Sequence, residues 1–226
     1  ALLGTLDTKG EEYAWLLDRL HGLGVATLAI DTGSFSTSEL ADVSSEAVIT
    51  AAGVDVAAVR ERRDRGEMMG VMGAGAAVVV RELAESGRIH GLLAIGGSGG
   101  SSVAAPAMQA LPVGFPKLLV STMASGDVKP YVGEVDTTLM YSVVDVAGIN
   151  SISARVLGNA CAGIAGMAQA YEGQLAAPQG EHKPLIGVTM FGVTTPAANE
   201  ARETLTGLGY EVLVFHATGT GGRAME

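Results

Sequence analysis

The chain predicts an α/β protein: a Rossmann-like, doubly wound, mostly parallel sheet followed by the start of a second, similar subdomain. Three observations lead there. Short β-rich runs alternate with longer helical ones, the pattern of βαβ units whose sheet is covered on both faces. Almost every β-rich run is followed by Gly, Ser, Thr and Asp, the composition of loops at the carboxyl ends of parallel strands. Of 226 residues, 48% are hydrophobic, only 4% are aromatic and 32 are glycine. The core is therefore aliphatic, and the glycines mark turns and close approaches.

A length of 226 residues is about one and a half ordinary domains. Strands are expected at 1–3, 25–30, 91–95, 117–121 and 137–144, with helices at 11–21, 67–85 and 101–110. The segment 42–52 reads as a small hairpin or an edge strand through Val43, Val48 and Ile49. A helix of small residues is expected over 148–171, where Ala154, Gly158, Ala162, Gly163 and Gly166 admit other backbones or an interface. The polar stretch 173–184 reads as a linker, which divides the chain into subdomains at 1–178 and 184–226. After it a strand at 185–190, a helix at 197–205 and a strand at 210–215 echo the opening unit. Gly207, Leu208 and Gly209 repeat Gly22, Leu23 and Gly24 at an offset of 185. One such unit cannot bury a sheet, so a longer natural protein or packing on a neighbour is expected.

Twenty-four acidic against fourteen basic residues leave a formal charge of −10. No basic stripe offers the phosphate neutralisation that a nucleic-acid partner demands. Charges interrupt every apolar stretch before about 18 residues, so no membrane span is expected. No signal peptide is visible, although the start without Met leaves a trimmed leader open. The lone Cys161 fits a reducing cytoplasm and reads as helix packing.

In an open parallel sheet, ligands bind beyond the carboxyl ends of the strands, where helix N-termini present N–H groups to anions. The strongest candidate there is Gly96, Gly97, Ser98, Gly99, Gly100 and Ser101. Glycines leave the backbone open to an oxyanion, and Ser101 or Ser102 is placed to cap the helix. The turn is not a dinucleotide fingerprint, and a tightly packed turn is the competing reading. Thr5, Asp7, Thr8 and Lys9 follow the first strand without the spacing of a Walker loop; Lys9 is placed either to touch a phosphate or as a solvated side chain. Gly219, Gly221 and Gly222 follow the last strand beside His216. Asp7, Asp127 and Asp136 are candidate magnesium ligands. No Ser-His-Asp order, CxxC or HExxH points to a hydrolase or zinc site.

Taken together, Gly4 to Glu12, Ala94 to Gly100, Gly148-Ile149-Asn150 and Phe215 to Glu226 resemble the bacterial relatives of the tomato mosaic virus resistance protein, a family labelled as its ATP-binding-domain-like proteins. The resemblance spans nearly the whole chain. It implies two Rossmann-like subdomains in roughly 400 residues, ATP binding and, in the plant member, an inhibitory contact with a viral replication helicase. It supplies no catalytic residues. The expected function is an ATP-binding regulatory or interaction module with bound Mg2+, cytoplasmic and homodimeric. An ATP-dependent or phosphate-handling enzyme acting on a small molecule is the alternative, and a purely structural domain is disfavoured by the loop chemistry.

Overall fold

In a computed structural model that describes residues 1–35, 38–177 and 183–225, the apolar runs form a parallel sheet. Its strands are β1 (Leu2–Gly4), β2 (Ala29–Asp31), β3 (Leu92–Gly96), β4 (Lys117–Ser121) and β5 (Thr138–Tyr141). Their spatial order is β2-β1-β3-β4-β5, so β1 and β3 flank the switch point of a doubly wound sheet. All residues of β1 to β4 are buried, which is why their sequences are continuous apolar runs rather than alternating ones.

Successive side chains leave a strand on opposite faces and build two cores. Leu3, Ile30, Leu92, Ala94 and Leu119 pack with Val48, Val59, Met68, Met72 and Val103, which lie on helices α2 (Ser45–Ala51), α3 (Val56–Arg62), α4 (Arg65–Glu85) and α5 (Ser98–Gln109). Leu2, Ala29, Leu93, Ile95, Leu118 and Val120 pack with Tyr13, Leu16, Leu157 and Ile164, from α1 (Leu6–Gly22) and α7 (Ser153–Ala176). The short α6 (Lys129–Val132) lies between β4 and β5 in the chain.

Segment 42–52 is neither a hairpin nor an edge strand. Val43 makes one isolated parallel bridge to Ile30. The Ser44 hydroxyl then accepts from the Ala47 N–H at 3.2 Å and starts α2. Gly75 of α4 meets α2 so closely that a Cβ there would lie 1.9 Å from the Val48 carbonyl oxygen, and this packing overrides the β-propensity of Val48 and Ile49. Two of the small residues of α7 face the rest of the chain: a Cβ on Gly163 would lie 3.6 Å from Leu118, and one on Gly158 4.0 Å from Trp15, whereas Ala162 and Gly166 are exposed.

Residues 1–132 and 136–175 form one compact unit; 133–135 and the chain from 176 onward form another. Helix α7 carries on to Ala176, into the expected linker, of which 178–182 lie outside the described residues. The second unit contains β6 (Leu185–Met190), α8 (Thr195–Gly207), β7 (Glu211–His216) and α9 (Thr220–Met225), with β6 and β7 paired in parallel. The sequence echo is a structural one. Helix α1 ends with Gly24 N–H on His21 O and Val25 N–H on Leu20 O; α8 ends with Gly209 N–H on Thr206 O and Tyr210 N–H on Leu205 O. This pair of bonds is a Schellman stop, and it requires the positive φ of Gly24 (74°) and Gly209 (94°).

Candidate functional site

Two strand-to-helix turns meet at the switch point, one after β1 and one after β3. The first is filled by the protein itself. Helix α1 begins at Leu6, well before the expected 11, and takes in Asp7, Thr8 and Lys9 with a kink at Lys9 (φ −131°, ψ 28°). Its Leu6 N–H donates to Asp31 Oδ1 at 3.1 Å, and the same oxygen accepts from Gly33 N–H at 2.7 Å. A carboxylate from the end of β2 thus holds the place where an anion would meet this helix dipole. The Thr5 and Thr8 hydroxyls bond to each other at 3.0 Å. Lys9 Nζ donates to the Val146 carbonyl, and Glu12 Oε1 accepts from Gly148 N–H at 2.6 Å. These residues bind α1 to the loop that precedes α7.

Tyr13 closes the gap between the two central strands. Its hydroxyl donates to Leu3 O at 2.5 Å and accepts from Ile95 N–H at 3.2 Å, standing in for a rung of the β1–β3 ladder. Gly4 makes room for it, since a Cβ there would lie 2.0 Å from the Tyr13 oxygen. Burial pushes the phenol above its ordinary range. Gly4 is therefore a packing glycine.

The second turn is open. Helix α5 starts at Ser98 with Gly97 as its N-cap and no side-chain cap. Among the described residues, the Ser98, Gly99 and Gly100 N–H groups find no acceptor. Neither expected capping serine reaches them. Ser101, fully buried, bonds through its hydroxyl to that of Ser121 at 2.7 Å, and Ser102 bonds back to Ser98 O at 2.8 Å. The glycines divide by role. A Cβ on Gly96 would lie 3.0 Å from Gly100 Cα, and one on Gly100 3.4 Å from Ile95 O, so these two serve the tight turn. A Cβ on Gly97 or Gly99 would meet only Thr122 Oγ1 at 3.6 Å and Arg65 Nη2 at 3.8 Å, respectively. Arg65, the exposed first residue of α4, thus holds its guanidinium beside the uncapped turn.

The other candidates lie apart. Asp136 meets Lys117 at 2.7 Å and accepts from Gly114 N–H at 2.9 Å. Lys117 begins β4, so this pair is at the opposite end of the sheet. Burial raises the Asp136 carboxyl, but Lys117 and the Gly114 N–H outweigh it and hold it below the ordinary range. Asp127 accepts from Lys129 N–H at 3.1 Å. Both candidate magnesium ligands are thus engaged by neighbouring groups, and no group of three or more His, Cys, Asp or Glu comes together among the described residues. His216 ends β7 with its ring 5.6 Å from that of Phe191. Gly219 has φ 90°, and a Cβ on Gly221 would lie 2.0 Å from His216 O, so Gly221 is needed where α9 turns back onto β7. A Cβ on Gly222 would meet nothing within 4 Å. Cys161 is buried, and burial pushes its thiol up to about 11, which keeps it unreactive.

A cavity of about 570 Å³ opens at the amino end of the sheet among Leu20, Val25, Arg88, His90 and Glu172. The unpaired backbone donors of α5 lie at the other end of the sheet. The model of the uncharacterised protein family UPF0261 N-terminal domain matches residues 1–173, and that of its C-terminal domain matches 183–226. The chain belongs to the UPF0261 family. It is 49% identical over 226 residues to a UPF0261 protein of Clostridium tetani, covering all of this chain and 55% of that one. It is 43% identical to a UPF0261 protein of Mesorhizobium japonicum, of which it covers 54%. It is also 38% identical over 245 residues to the ToMV resistance protein Tm-1(GCR237) of Solanum lycopersicum, covering 99% of this chain and 32% of that protein. The chain therefore spans about half the length of the bacterial relatives it matches. Among the described residues no helix is long and apolar enough to cross a membrane.

Sequence reasoning placed weight on Gly96 to Ser101 but overlooked Tyr13, Asp31 and Arg65. Asp31 carried a legible signal as the acidic last residue of a strand. Arg65 ends a run with Arg60, Arg62 and Arg63 in an otherwise acidic chain; Arg60 pairs with Glu46 and Arg62 with Glu67. Tyr13 carried none, because its role depends on a ladder gap 82 residues away.

Proposed function

We propose that this protein binds a nucleotide, ATP or ADP, through its phosphates at the amino-terminal turn of α5. The carrying observation is the uncapped turn itself: three N–H groups without acceptors, Gly97 and Gly99 leaving the approach open, and the Arg65 guanidinium alongside. Helix dipole and backbone donors favour an anion there, and arginine matches phosphate geometry. Magnesium enters with the phosphates rather than in a protein cage, as is usual for this ion. The role is regulatory. Two tomato relatives are named as a ToMV resistance and a ToMV susceptible protein, names that describe the fate of a virus rather than a reaction. We place the protein in the cytoplasm as a homo-oligomer; exposed apolar side chains on the second unit, Val193 and Leu208 among them, support association.

A thermal-shift titration with ATP, ADP and magnesium tests the binding. A ligand at a hundred times its Kd stabilises the folded state by about 2.7 kcal/mol. A folded protein whose midpoint does not move at millimolar nucleotide refutes the reading.

A further inference from the structure

At the amino end of the sheet, the cavity of about 570 Å³ has the outline of a strand. β1 and β2 are three residues long, whereas β3 and β4 are five. The stretches that lead into β2 and β3, residues 25–28 and 88–91, line the cavity, and β1 lies between these two strands. At its first residues the ladder is intact on both sides: Leu2 N–H donates to Leu28 O at 2.8 Å, Ala1 N to Gly91 O at 2.6 Å, and Leu93 N–H to Ala1 O at 2.9 Å. One step further the partners run out. Among the described residues the Leu28 and Gly91 N–H groups have no acceptor, and Gly91 is buried, where an orphaned N–H is rare and costly.

Register says what would satisfy them. In a strand the N–H and C=O of one residue point to the same side, and Leu28 and Gly91 both turn their carbonyls to β1; their N–H groups therefore face the line of β1 as well. Leu2 stands opposite Ala29 on one side and Leu93 on the other. Continued backwards, the residue directly before Ala1 stands opposite Thr27, where it accepts from Leu28 N–H and donates to Ala26 O. The residue before that stands opposite His90, accepts from Gly91 N–H and donates to Ile89 O. Side chains follow the same alternation. Leu2 joins the core built with α1 and α7, and the residue directly before Ala1 shares its face, toward Leu20, Ile164, Ala165 and Ala168 of the cavity wall; an apolar side chain fits there. A small ligand answers less well, because the two donors stand on opposite sides, about two strand spacings or 10 Å apart. The chain covers 55% of its Clostridium tetani relative, so proteins of this family carry polypeptide beyond these 226 residues. We propose that the cavity is a strand slot, occupied in the natural protein by at least two residues that run directly into Ala1 and extend β1 to the five-residue length of β3 and β4.

The slot is independent of the phosphate reading. Amide hydrogen exchange and cross-relaxation, measured by NMR on the protein expressed from its natural start codon and on a version that begins at Ala1, test it. In the natural protein the Leu28 and Gly91 amides should exchange as slowly as that of Leu93, and about tenfold or more slowly than in the shortened version, as for a bond of some 1.4 kcal/mol. Both amides should show cross-peaks to the two residues that precede Ala1. If the shortened version does not fold, these cross-peaks in the natural protein decide alone. Exchange in the natural protein as fast as in the shortened one overturns the proposal. So do cross-peaks from Leu28 and Gly91 to another segment, a second copy or a bound small molecule. An intact mass that places Ala1 first in the natural protein overturns it at once.

Discussion

The turns after β1 and β3 lie side by side, are both rich in Gly, Ser or Thr, and both lead into a helix. Their chemistry is opposite. The first is closed from within: Asp31 caps α1, Tyr13 occupies the space above Gly4, and Lys9 and Glu12 tie the helix to residues 146–148. The second has no side-chain cap, and its serines turn away to Ser121 and Ser98. Composition alone does not separate a closed turn from an open one. The partner of each N–H group does.

The largest expected contrast is in stability. Gly4→Ala forces a methyl against the Tyr13 hydroxyl and the ladder it completes, and is expected to cost about 3 kcal/mol, the upper range for overpacking. Gly99→Ala, with only Arg65 in reach, should stay within about 0.5 kcal/mol of the parent. Urea denaturation of the two variants measures this directly. Equal losses would erase the distinction between the turns.

Affinity should reverse the order. Arg65→Ala is expected to weaken ATP by about 1.5 kcal/mol and adenosine hardly at all, as for one charge-assisted contact. Calorimetry with both ligands checks it. A uniform loss for ATP and adenosine would move Arg65 away from the phosphates.

Lys9→Ala sharpens the comparison from the other side. Its ammonium bonds to the Val146 carbonyl, so its removal should lower stability by about 1 kcal/mol and leave nucleotide affinity within about twofold. A selective loss of ATP affinity would return Lys9 to the phosphate site.

The smallest effect concerns Asp31. Burial raises its carboxyl above the ordinary value against the Gly33 and Leu6 N–H bonds, and Asp7 adds to the rise. A raised acid stabilises the fold while protonated, below the unfolded-state value, and that contribution is lost as pH rises through the folded-state value. Asp31→Asn should therefore raise the thermal midpoint slightly at neutral pH. The gain should vanish as the pH falls below about 4. A loss of stability at neutral pH would show that the charge on the α1 cap matters more than its burial.

Much of the fold was legible because its signals are local. β4 reads directly from the apolar run 117–121, and the parallel pairing follows from strands buried on both faces. The Gly22–Gly24 repeat at Gly207–Gly209 marked a shared helix stop. What escaped depends on distance. Nothing near residues 4–10 says that Asp31 will cap them, so a helix start looked like a loop. Residues 42–52 looked β-like because Val48 and Ile49 are β-branched, whereas contact with Gly75 favours a helix. At the site, glycine spacing located the turn but did not tell Gly96 and Gly100, which pack, from Gly97 and Gly99, which leave room.

Backbone amide chemical shifts, followed by NMR as ATP is added, test the central claim most directly. The account predicts large shifts at Ser98, Gly99 and Gly100, reproduced by tripolyphosphate, with the Leu6 amide still held by Asp31 under tripolyphosphate. Shifts confined to Leu6, Asp7 and Thr8, with residues 98–100 unmoved, would contradict it.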